Sequence, residues 1–89
     1  MAQPHAAPDE DTVAEIWASV LGLQAGEVRP GDNFFDLGGN SILAARVSAR
    51  FAERYGVDTV DSFEILFDAD DLAHTVALLV ALLEGRAGQ

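Results

Sequence analysis

One serine in this chain stands where chemistry is possible. In DNFFDLGGNSILAARV, the run from Asp32 to Val47, Gly38, Gly39 and Asn40 lead directly into Ser41. Glycine permits a sharp turn and leaves room around the backbone, and asparagine is a strong N-cap. Ser41 is therefore expected in the first turn of a helix, its hydroxyl near backbone N–H groups that lack an intrahelical acceptor. Such an end accommodates a phosphate. On spacing alone, the same four residues also describe a plain turn and cap.

The sequence gives Ser41 no catalytic machinery. A nucleophilic serine needs a base and an oxyanion site. The histidines are His5, near the chain start, and His74, between apolar positions of a helical segment and expected to be solvated. No acid is placed to orient either of them. GGNSI does not match the nucleophile elbow G-x-S-x-G, and LGGN lacks the lysine of a phosphate-binding loop. An EF-hand starting at Asp36 would put Ser41 where glycine is needed and Val47 where glutamate is needed. With no cysteine and isolated histidines, no metal site is expected. No catalytic residue is assigned.

The balance of charge excludes further classes. Fifteen acidic residues stand against five basic ones, all arginine, for a net charge of −10. That surface repels nucleic acid, whose binding relies on Lys and Arg at the phosphates. It also disfavours anionic membranes and favours basic protein partners. No apolar run approaches the roughly 18 residues of a membrane span, and the first residues lack the pattern of a signal peptide. The chain is expected to be cytoplasmic and monomeric.

The elements that must position Ser41 follow from periodicity. Residues 1–8 read as a flexible arm and 85–89 as a tail around a domain of residues 9–84. Val13, Ile16, Trp17, Val20 and Leu21 form a helical stripe. Asp9, Glu10 and Asp11 suit its positive end, Thr12 and Glu15 offer a competing start, and Gly22 is a natural stop. A second helix begins near Ser41, with Leu43, Val47, Phe51 and Tyr55 on one face, Arg46, Arg50 and Arg54 on the other, and Gly56 at its end. SFEILF reads as one or two helical turns, with Phe63 and Leu66 or Phe67 inward. The last helix is expected over Asp70 to Glu84, with Leu72, Val76, Leu79, Val80 and Leu83 as its stripe. Residues 23–40 form a long connection that Leu23, Val28, Phe34, Phe35 and Leu37 can pin across the bundle. The fold class is all-α: three main helices, a short third helix, and a long loop between helices 1 and 2.

DNFFDLGGNSI resembles the phosphopantetheine attachment motif of carrier proteins, F-F-x-L-G-G-x-S. VAEIWASVLGL and LAHTVALL resemble that family's first and last helices, so the likeness covers about residues 9 to 84. It implies a four-helix bundle in which Ser41 receives 4′-phosphopantetheine from coenzyme A through a separate phosphopantetheinyl transferase. The arm's thiol then carries an acyl or aminoacyl group as a thioester. Asn40 before the serine, where fatty-acid carriers usually have Asp, and the arginines of the second helix look more like the peptidyl carriers of nonribosomal peptide synthesis. DADDLA replaces the Pro-Thr often found before the last helix.

That resemblance implies further partners: an adenylation enzyme, and condensation or tailoring enzymes. Asn40, Ile42 and Arg46 are the expected partner interface. Ile42 lies off the core-facing line of its helix, and in the family the residue after the serine commonly contacts partners. The expected function is a peptidyl carrier, free-standing given Met1 and an end soon after the last helix. An acyl carrier for polyketide or fatty-acid synthesis, or an unmodified helical adaptor, are the alternatives.

Overall fold

The computed structural model describes residues 7–87 and contains four α-helices and one short 3₁₀ turn: α1 (Glu10–Leu21), the turn Ala25–Glu27, α2 (Ser41–Tyr55), α3 (Thr59–Asp68) and α4 (Leu72–Ala87). There is no strand among the described residues. His5 and most of the expected N-terminal arm lie outside them. Pro8, within that arm, is buried.

Local chemistry sets the helix ends. Asp9, not Thr12, caps α1, its carboxylate accepting from Thr12 N–H at 2.7 Å. That backbone hydrogen bond, with a second from the Thr12 side chain, holds the Asp9 carboxyl below the usual aspartate range. Gly22 and Gly56 close α1 and α2 in the left-handed conformation, at φ 75° and 72°.

The third helix is longer than the one or two turns expected, because Asp58 starts it upstream. The Asp58 carboxylate accepts from Val60 and Asp61 N–H, so ten residues wind from Thr59. Leu66 turns inward as expected. Phe63 is half-buried, and Phe67 remains 49% exposed, its ring packed at a tilt against Phe35 and Phe63.

The last helix starts two residues later than expected, at Leu72. Asp71 stays outside it and accepts from His74 N–H at 2.8 Å. It also runs past Glu84 to Ala87, through part of the expected tail. Its inward line differs too. Leu72, Thr75 and Leu79 are buried, while Val76, Val80 and Leu83 are half-buried. Thr75 can be buried because its hydroxyl donates to the Asp71 carbonyl at 2.9 Å.

The helices pack α2 on α3 and α1, and α4 on α1 and α3. Val13 and Trp17 of α1, Val47 and Phe51 of α2, Leu66 of α3 and Leu79 of α4 meet in one core. Each such side chain contributes about 1.5–3 kcal/mol on burial. Ser48 and Ser62 lie in the same interior, with their hydroxyls donated to the carbonyls of Ala44 and Thr59. Tyr55 is 1% exposed and its hydroxyl has no hydrogen-bond partner among the described residues. Burial pushes its phenol pKa up, and the nearby Asp9 carboxylate pushes the same way.

The long connection is pinned as the sequence suggested. Phe34 and Val28 are buried, and Leu23, Phe35 and Leu37 pack partly against the core. The ring of Phe34 meets Trp17 edge-on at 5.3 Å. Polar bonds that no local pattern announces fix the rest. Leu72 N–H donates to the Asp32 carbonyl and Ala73 N–H to that of Pro30, so the loop caps α4. Asn33 ties the same junction. Its Oδ1 accepts from the N–H groups of Phe35 and Asp36, and its Nδ2 donates to the Asp70 carbonyl at 3.0 Å.

Candidate functional site

Ser41 is the first residue of α2 and is exposed. Asn40 has extended backbone, and its side-chain oxygen accepts from Leu43 N–H at 2.9 Å. The cap therefore serves the third helical residue. The N–H groups of Ser41 and Ile42 have no acceptor within the helix.

The two glycines ahead of it have different jobs. Gly38 turns the chain, with φ 107°, a region that disfavours any side chain. Gly39 makes a close approach instead: a Cβ there would collide with the Phe34 ring and lie 2.8 Å from the Phe34 carbonyl oxygen. Gly39 N–H donates to that same carbonyl at 3.1 Å. The loop entering α2 is thus pressed onto a buried aromatic, which fixes where Ser41 emerges. The room expected around the backbone is, at Gly39, filled by Phe34.

The electrostatics of this helix start are distinctive. The first turn of α1 carries Glu10 and Asp11, that of α3 carries Asp61, and α4 is led in by Asp71. α2 has no acid in its first turn and a neutral cap. The positive end of its dipole has no carboxylate in its own first turn to offset it.

The expected interface residues also lie on this rim or down its outer face. Asn40, Ile42 and Arg46 are all exposed, as are Arg50 and Arg54 further along α2. Ile42 is 70% exposed, so it does not tuck against Phe34 or Leu37. Val60 of α3, 64% exposed, is a large apolar surface residue that sequence reasoning passed over.

No histidine is shown to serve Ser41. The Nδ1 of His74 accepts from Asp70 N–H at 3.0 Å and is occupied in the turn before α4. The Asp70 carboxylate lies 3.6 Å from the same nitrogen. The described residues include no cluster of potential metal ligands, and no helix among them is long and apolar enough to cross a membrane.

The model of the family "Phosphopantetheine attachment site" matches residues 11–83. The chain belongs to that family. A linear gramicidin synthase polypeptide from Brevibacillus parabrevis is 40% identical to the carrier over 81 residues, 91% of this chain but 1% of that protein. Phosphinothricin tripeptide synthetase PhsB from Streptomyces viridochromogenes is 53% identical over 51 residues, 57% of this chain and 4% of its own length. The carrier thus spans a small fraction of the curated relatives it matches. A crystal structure described as holo T3CT superposes with a TM-score of 0.64 at 34% identity, covering 80% of this chain and 99% of that one. These findings bear out the resemblance to peptidyl carriers and the helical bundle.

The family's cofactor is covalently attached 4′-phosphopantetheine. The residues at the start of α2 fit such a group. Ser41 is exposed, the first turn carries no acid, and Gly39 in the approach is packed against Phe34.

Proposed function

We propose that Ser41 is the attachment point and that the carrier presents an aminoacyl or peptidyl group to the enzymes of nonribosomal peptide assembly. The observation that carries this reading is the start of α2: an exposed hydroxyl at the first helical position, with no carboxylate in the turn that would receive the phosphodiester. When bound, the arm supplies a thiol that holds the cargo as a thioester. The chain itself supplies position. Phe34 and Gly39 fix the loop, Asn40 caps the helix, and the serine oxygen is left free to be modified.

In this reading the carrier is not an enzyme. A phosphopantetheinyl transferase modifies it, an adenylation enzyme loads it, and condensation or tailoring enzymes use the cargo. Asn40, Ile42 and Arg46 are the contact residues, and the carrier works as a monomer in the cytoplasm. The peptidyl cargo is supported by Asn40 and by the exposed arginines of α2. A partner built to receive an acidic second helix meets like charge here, which is costly across an interface.

The test is a loading comparison on the phosphopantetheinylated protein. Aminoacyl transfer from a peptide-pathway adenylation enzyme is expected to proceed, and malonyl transfer from a fatty-acid transferase to be poor. Efficient malonyl loading without aminoacyl loading would move the protein to the acyl carriers.

A further inference from the structure

A second surface, away from Ser41, carries an arrangement that the attachment chemistry does not use. A groove of about 380 Å³ runs between α3 and α4. Asp61, Glu64 and Asp68 line its α3 side, Ile65 lies on the same face of the helix, and Leu78 and Leu82 line the α4 side. The two sides differ sharply, one anionic and one apolar.

The acidic side is unfavourable for the isolated chain. Positions 61, 64 and 68 share one face of α3, so like charges stand one helical turn apart, and Glu64 and Asp68 form a repelling i, i+4 pair. Asp68 is also the last residue of α3, where a carboxylate opposes the negative end of the helix dipole. Only Asp61, in the first turn, has a favourable dipole position. Ion pairing does not offset the repulsion, since the groove is lined by no arginine and the three carboxylates have no salt bridge among the described residues. Opposite them, Leu78 and Leu82 are only half-buried although both belong to a well-packed helix.

We propose that the α3–α4 groove docks a basic amphipathic helix of a partner protein. Charge complementarity selects the occupant. The three acids span eight residues of α3, roughly 10 Å from first to last, a length that arginines or lysines one turn apart on a partner helix can match. The apolar face of that helix lies toward Leu78 and Leu82. Cations on one edge and leucine-like residues on the other reproduce the asymmetry of the groove, in the helix-in-groove mode of recognition. None of Ser41, Ile42 and Arg46 lines this groove.

The groove around α1 is the natural control. It also has acids, Glu10, Asp11 and Glu15. Glu10 and Asp11, however, lie in the first turn of α1, where the dipole already favours them.

The experiment titrates the full-length isotope-labelled protein with a synthetic amphipathic helix of about four turns, leucine on one face and arginine along one edge, with amide shifts as the readout. The shifts are expected to cluster at residues 61–68 and 78–82. The variant D61N/E64Q/D68N is expected to weaken binding about tenfold, with E10Q/D11N/E15Q nearly unchanged. Ala81→Gln, which narrows the groove without changing charge, should also weaken binding. Far-UV circular dichroism of each variant checks that the helices persist. Equal weakening by the two charge-neutralised variants, shifts spread over the whole acidic surface, or no effect of Ala81→Gln would overturn the proposal.

Discussion

The starts of α2 and α4 solve the same problem in opposite ways. Each leaves backbone N–H groups without intrahelical partners. At α4 the fold satisfies them. The carbonyls of Asp32 and Pro30 accept from Leu72 and Ala73, and Asp71 accepts from His74. At α2 the fold holds back. The Asn40 side chain accepts from Leu43 alone, the first turn has no acid, and Ser41 faces solvent. One helix end is used to hold the bundle together, and the other is left open. The long loop serves both, since residues 30–33 close α4 while residues 38–40 present α2.

Substitutions at the loop can break this division. Gly39→Ala should have the largest effect, since the new methyl meets the Phe34 ring and its carbonyl. A loss of about 1–3 kcal/mol in denaturant unfolding is expected for such overpacking. Asn33→Ala removes three hydrogen bonds that tie the loop to itself and to the turn before α4. A loss near 2 kcal/mol, on the order of several modest hydrogen bonds, is expected in the same measurement. Asn40→Ala removes a single cap bond at the open end and should cost about 1 kcal/mol. If Asn40→Ala proved the more damaging of the two asparagine variants, the contrast between a closed and an open helix end would fail.

Much of this was legible in the sequence because it is local. Asp9, Gly22, Asn40 and Gly56 act on neighbours within a few residues, and the Val47–Phe51–Tyr55 line follows from helical spacing alone. The start of α3 was missed although its signal is local too: Asp58 accepts from the N–H groups of Val60 and Asp61 in the helix's own first turn, while only the bundle decides that Val57 is buried and Val60 is not. Asn33 was illegible for a different reason. Its partner, Asp70, is 37 residues away, and no periodicity encodes a side-chain amide meeting a distant carbonyl. The separate roles of Gly38 and Gly39 were likewise hidden, because a positive φ and a close approach to Phe34 leave the same letter in the sequence.

The smallest stability effect is expected at Ile42. With 70% of its surface exposed, Ile42→Ala should change stability by less than about 0.5 kcal/mol. Modification or loading should nevertheless slow several-fold, since an apolar anchor can dominate a small interface. A large drop in melting temperature would assign Ile42 to the core. Unchanged stability with unchanged transfer rates would remove it from the interface.

The central claim is that the open end of α2 carries the arm. It is tested most directly by incubating the protein with coenzyme A, Mg²⁺ and a broad-specificity phosphopantetheinyl transferase, then mapping the modified residue by mass spectrometry. Ser48 and Ser62 are buried, so Ser19 on α1 is the other exposed serine among the described residues. A single phosphopantetheinyl group on Ser41 is expected, and Ser41→Ala should retain its helical circular dichroism while losing all labelling. A label on Ser19, or one that survives Ser41→Ala, would contradict the account.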